Sequence, residues 1–152
     1  MWIMDRIVKF RGKDIVSGKW HYGGCMPPVS DKGDYDIWVR VDCGISWQYK
    51  LCQVKPETIG QFTGLKDSSG VEIYEGDIIM SYDSAGEPIY HEVFYDVMEA
   101  SFLAGMDGRR TGLFGVCNIR QSWIDEFCKV VVGNVHDNPE LLKCKERVLK
   151  VI

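Results

Sequence analysis

Two adjoining runs, DIWVRVDC and ISWQYKL, alternate apolar and polar side chains at every second residue and are parted only by Gly44. Ile37, Val39, Val41 and Cys43 fall on one side of the first run, with Trp38, Arg40 and Asp42 on the other. In the second, Ile45, Trp47, Tyr49 and Leu51 oppose Ser46, Gln48 and Lys50. On a helix each set would scatter around the axis; on an extended chain each set lines one face. Aromatic and β-branched residues also suit a pleated surface. The pattern predicts a half-buried β-hairpin turning at Cys43-Gly44.

The rest of the chain repeats the signal in shorter pieces. RIVKF and GKWHY read as strands around a Gly12-to-Gly18 connection, and the Gly- and Pro-containing stretch Gly23 to Asp34 reads as a loop. Further strands are expected at residues 89–95, 100–106, 112–117 and 129–135, with a hairpin turn at MDGRRTG. Helical signals are confined to two short pieces. SWIDEF has Ser122 as N-cap, and DNPELLKCKE places Asn138 before Pro139, with Leu141, Leu142 and Val148 available to dock it. The expected fold is therefore mainly β, α+β at most. Short antiparallel strands curl into a small barrel or sandwich, with helical turns near the C-terminus. One unit over residues 1–152 is expected, with a soft subdivision into N-terminal hairpins (1–55) and a barrel-like part (56–152).

Composition bounds the partners. Apolar residues make up 45% of 152, enough for a core without metal or disulfide staples. The net charge of −4 lowers the expectation of nucleic acid or an anionic membrane as partner, unless basic residues cluster. Six cysteines at positions 25, 43, 52, 117, 128 and 144 include no CxxC pair of the kind that seeds zinc or redox sites. Asp5 interrupts the N-terminal apolar run, and no segment approaches the roughly 18 apolar residues of a membrane span. The expectation is a cytoplasmic protein with free, mostly buried thiols, no cofactor and no membrane partner.

The stretch Val54 to Ile79 is dense in Gly, Thr, Asp and Glu. Asp67 followed three residues later by Gly70 predicts a turn, since the carboxylate bonds amides two residues on and glycine accepts positive φ. Glu75-Gly76-Asp77 predicts a second. A divalent-metal cup from Glu72, Glu75 and Asp77 is the competing reading, and GQFTGLK lacks the following helix that a phosphate cradle needs.

TIGQFTGLKDSSGVEIYEGDII, with RIVKFRG before it and VVVGNVHDNPELL after it, resembles the YopX family of small proteins carried by bacteriophages, prophages and related mobile elements. Thr63, Gly64, Leu65, Asp67, Gly70, Ile73, Tyr74, Gly76 and Asp77 match the family's central pattern. Gly133, Asn134, Asn138, Pro139, Glu140 and Leu141 match its closing one. The resemblance implies a mostly β fold and a mobile-element origin in a bacterial host cell. It implies no activity and no catalytic residues, and residues 81–126 follow no family pattern.

His21, His91 and His136 are far apart and lack paired spacing, so structural roles are expected. A thiol nucleophile from Cys117 or Cys128 with His91 or His136 would need a lowered thiol pKa, whereas both cysteines border apolar runs. Arg109, Arg110, Lys143, Lys145 and Arg147 are the candidate nucleic-acid contacts, without interleaved aromatics in the tail. The favoured role is a non-enzymatic interaction module that forms a homo-oligomer or binds a host or phage protein. A nucleic-acid-binding accessory protein and a carboxylate-based metal enzyme using Asp67, Glu75 and Asp77 are the alternatives.

Overall fold

A computed structural model describes residues 6–26, 35–106, 110, 115–143 of the chain. Contacts cluster into two compact units, Met1–Leu65 and Lys66–Ile152.

The first unit carries β1 (Phe10–Lys13), β2 (Trp20–Met26), β3 (Tyr35–Asp42), β4 (Trp47–Val54), a 3₁₀ turn at Pro56–Thr58 and β5 (Gly60–Lys66). The strands lie side by side in the order β4-β3-β2-β1-β5, with antiparallel neighbours. The sheet curls until the end of β1 meets the end of β4. There Asp14 bridges Val54, the Ile15 amide donates to the Gln53 carbonyl at 3.2 Å, and the Lys55 amide to the Lys13 carbonyl at 2.8 Å. Among the described residues this corner is one bridge rather than a ladder, so the sheet is open where a closed barrel was one expectation. Ile37, Cys52 and Val54 are buried. Gly12 is required at the corner: a Cβ there would come within 2.8 Å of a Val54 methyl.

Here the strand boundaries depart from the sequence reading. Gly12 lies inside β1, which begins at Phe10, and Gly23 and Gly24 extend β2 rather than opening a loop. Backbone pairing overrides glycine's weak strand preference, because Gly23 sits where a Cβ would strike the Trp38 carbonyl.

The second unit holds β6 (Glu72–Tyr74), β7 (Asp77–Tyr82), β8 (Pro88–Asp96), β9 (Ser101–Met106), β10 (Val116–Asn118), α1 (Gln121–Glu126), β11 (Val130–Asn134) and a 3₁₀ turn at Pro139–Leu142. Its five-stranded antiparallel sheet runs β10-β9-β8-β7-β11. Ile78, Ile79, Val93, Ala104 and Ile124 have no exposed surface. The protein is thus mainly β, with two antiparallel sheets and only short helical pieces. None of its described helices is long and apolar enough to cross a membrane.

α1 starts after Arg120, with no side-chain cap, so Ser122 is its second residue and not the N-cap that its hydroxyl suggested. The 3₁₀ turn does follow Asn138 with Pro139 first. The MDGRRTG turn and Val148 fall largely or wholly outside the described residues. The thiols are free but not mostly buried. Of the five described, only Cys52 is buried, Cys25 and Cys117 are half-buried, and Cys43 and Cys128 are exposed. Cys43 sits in the hairpin turn and Cys128 two residues beyond the end of α1.

Candidate functional site

The central motif folds as a clasp. Asp67 is buried and its Oδ1 accepts the amides of Ser69 and Val71, both at 2.8 Å. Its Oδ2 accepts the Val131 amide at 2.9 Å, across to β11. Gly70 closes the turn at φ +87°, where a side chain would be strained. The Ser68 amide donates to the Lys129 carbonyl at 3.0 Å, and the Ser68 hydroxyl to the Ile124 carbonyl at 3.3 Å. Gln121 in turn brackets Lys66, giving its amide to the Lys66 carbonyl at 2.8 Å. One turn therefore fixes both the end of α1 and the start of β11.

The second turn works similarly. Gly76 sits at φ +84°, buried Asp77 accepts the Tyr74 amide at 2.8 Å, and the Tyr74 hydroxyl donates to Glu72 at 2.9 Å. Gly64 also has positive φ, and the Thr63 hydroxyl accepts the Leu65 amide. Among the described residues no group of three or more His, Cys, Asp or Glu is placed to hold a metal ion. In the closing motif, Gly133 leaves room for the Asn138 side chain, which a Cβ would meet at 2.4 Å. Asn134 accepts the His136 and Asp137 amides at 3.0 and 2.9 Å.

One face of the second sheet gathers polar groups under α1. Opposed residues of antiparallel strands share a face, which puts Val131, Ile79 and His91 in one row and Val93, Ala104 and Cys117 in another. Lys129 reaches the same face, donating to the Ser81 hydroxyl at 2.7 Å and lying 4.0 Å from the Trp123 ring centroid. The His91 ring meets Trp123 edge-on at 5.4 Å, and its Nδ1 is buried with no hydrogen-bond partner. Burial, aided by the Lys129 charge, pushes the His91 pKa down from 6.5 to about 4. Burial also lowers the Lys129 pKa, which the Cys117 thiol partly restores. The Cys117 thiol is pushed up by burial, against the Lys129 charge, the opposite of an activated nucleophile. Cys117 also lines a shallow surface groove of about 440 Å³ with Asn118, Arg120, Ser122, Trp123 and Glu126. Sequence reasoning paired His91 with Cys117 but missed Lys129, whose place depends on the clasp; an isolated Lys before an apolar run carries no such signal.

Arg110 is on the other face of that sheet, paired with the buried carboxylate of Glu92 and 5.5 Å from the Phe94 ring centroid. The Glu92 bond raises its pKa and keeps it charged. Lys143 follows the last 3₁₀ turn and is exposed, while Arg109, Lys145 and Arg147 lie outside the described residues. His21 contacts Asp14 at 3.1 Å.

The largest departure from expectation lies on the β3–β4 hairpin. Its four-residue turn, closed by the Cys43 amide on the Ser46 carbonyl at 2.8 Å, sets Trp38 opposite Leu51, Arg40 opposite Tyr49 and Asp42 opposite Trp47. The apolar side of β4 therefore shares a face with the polar side of β3, while Ile37 and Cys52 point into the core. Trp47, Tyr49 and Leu51 are each more than half exposed, and Ile45 at the turn is fully so. Tyr49 packs edge-on between Trp38 at 5.7 Å and Trp47 at 5.4 Å, and the Arg40 guanidinium lies 5.1 Å from the Trp47 ring centroid. The Trp38 indole nitrogen is buried without a hydrogen-bond partner. β4 is the terminal strand of its sheet, and among the described residues its outer edge is engaged only where Gln53 and Val54 meet Asp14 and Ile15.

The fold and these turns define a mainly β protein whose motif residues organise the backbone. The family model described as YopX protein matches residues 9–143, and the chain belongs to that family. A solved structure, the crystal structure of protein EF1440 from Enterococcus faecalis, is similar at 26% sequence identity and a TM-score of 0.56. The similarity covers 90% of this chain and 99% of that one. Among curated proteins none matches.

Proposed function

We propose that the protein is a non-enzymatic interaction module of a phage or other mobile element, acting in the cytoplasm of a bacterial host and docking through β4. One observation carries this reading: a row of exposed Trp47, Tyr49 and Leu51 on a terminal strand whose outer backbone edge, among the described residues, is unpaired from Trp47 to Cys52. Exposed contiguous apolar surface favours burial by a partner, and Trp, Tyr and Arg are the residues that concentrate binding energy at interfaces. Arg40 beside Trp47 completes that composition.

The reading predicts association, with another copy or with a host or phage protein, that depends on the row. Trp47→Ser with Leu51→Ser retains the fold, because both side chains are already more than half exposed. Sedimentation of the pure protein and capture from host-cell extract, each run with wild type and variant, test it. Loss of association in the variant supports the reading, and equal behaviour of the two proteins overturns it.

A further inference from the structure

We infer that the occupant of this edge is a second copy of the chain, added as an antiparallel β4–β4 pair on a two-fold axis through Tyr49. The inference rests on the docking reading above and specifies its partner.

Edge strands are ordinarily blunted by several charges, a proline or a bulge. From Gly44 to Val54, β4 and its turn carry Lys50 as the single charge and no proline, and the β3–β4 register runs from Tyr35↔Val54 to Asp42↔Trp47 without a shift. The stretch with no outer partner among the described residues, Trp47 to Cys52, is long enough to form a ladder. A two-fold perpendicular to the sheet keeps both apolar rows on one face, and a residue must then lie on the axis.

Centring on Trp47 runs the pairing into the turn, and centring on Leu51 or Cys52 draws in Gln53, whose carbonyl already accepts the Ile15 amide. Charge and turn geometry separate the remaining three registers. Centred on Lys50, the pairing sets two ammonium groups directly opposite each other, which is unfavourable. Centred on Gln48, it sets Lys50 and Leu51 against Ser46 and Ile45, inside the turn where the Ser46 carbonyl already holds the Cys43 amide. Centred on Tyr49, Leu51 meets Trp47 of the other copy twice, the two Tyr49 rings meet at the axis, and Lys50 meets the neutral amide of Gln48. The hairpin is also electrically balanced, with Asp36 and Asp42 against Arg40 and Lys50, so the chain's net charge of −4 is carried elsewhere.

The test is sedimentation equilibrium of the full chain with Gln48→Glu and Gln48→Lys, two substitutions at an exposed position. In the Tyr49 register, Gln48→Glu forms two new cross-strand pairs with Lys50 and tightens the dimer roughly fivefold, and Gln48→Lys weakens it by a similar factor. Weakening by Gln48→Glu would place the axis at Gln48 and overturn the inference. A dimer indifferent to both charges but lost in Trp47→Ser/Leu51→Ser would overturn the Tyr49 pairing inferred here and leave the docking reading intact. A monomer at every concentration, or mass gained only with single-stranded nucleic acid, would overturn it outright.

Discussion

Asp67 shows how much one carboxylate organises. It holds three backbone amides from a buried position, so Asp67→Ala strands three donors and also releases α1 and β11 from their common anchor. A loss of about 3 kcal/mol of stability is expected in urea unfolding, and Asp67→Asn, which retains an acceptor oxygen, loses less. His91 makes a pH-dependent contribution of known sign. Its folded pKa of about 4 lies below the usual 6.5, so between those values only the unfolded chain takes the proton. The contribution is full above pH 6.5 and is lost as pH falls through that window, by roughly 3 kcal/mol in all. His91→Gln should flatten the profile between pH 7 and 4. Lys129→Met replaces a buried ammonium by a side chain of similar volume, so stability at pH 7 should hold or rise. It also removes a charge opposing His91 protonation, and the His91 titration followed by NMR should move upward.

At the scale of elements, the corner between β1 and β4 depends on a close approach. Gly12→Ala places a methyl against Cβ and both methyls of Val54, at 2.8 to 3.0 Å. Overpacking of this kind costs about 1–3 kcal/mol. Val54→Ala in the same chain should restore part of the loss, giving a double-mutant coupling that thermal unfolding can measure. The alternation of Ile37 to Asp42 and of Ile45 to Leu51 identified both strands of the hairpin, but not which faces would meet. That followed from a four-residue turn, since a shift of one residue in pairing turns a whole strand over. The helix start was misplaced for a related reason: Ser122 has the chemistry of a cap, yet Gln121 is drawn into the helix by its bonds to Lys66 and Asp125.

For the whole molecule, the acidic balance and the neutral hairpin act differently. Association driven by the apolar row should strengthen modestly as salt rises, because screening reduces repulsion between two chains of charge −4 and leaves apolar burial intact. Binding to phosphate backbones weakens steeply with salt. Sedimentation between 50 and 500 mM salt, about the range over which such slopes are read, distinguishes the two. Arg110, a candidate phosphate contact by charge, has its guanidinium matched by Glu92 on its own sheet.

By itself the sequence determined the β class and the turns at Asp67–Gly70 and Glu75–Asp77. Period-two alternation, positive-φ glycines and carboxylates that bond nearby amides all act over a few residues. The exposed face of β4 and the burial of Lys129 beside His91 and Trp123 were decided only in three dimensions. Both depend on which strand lies opposite which, and on contacts between residues dozens of positions apart, where local preference has no reach.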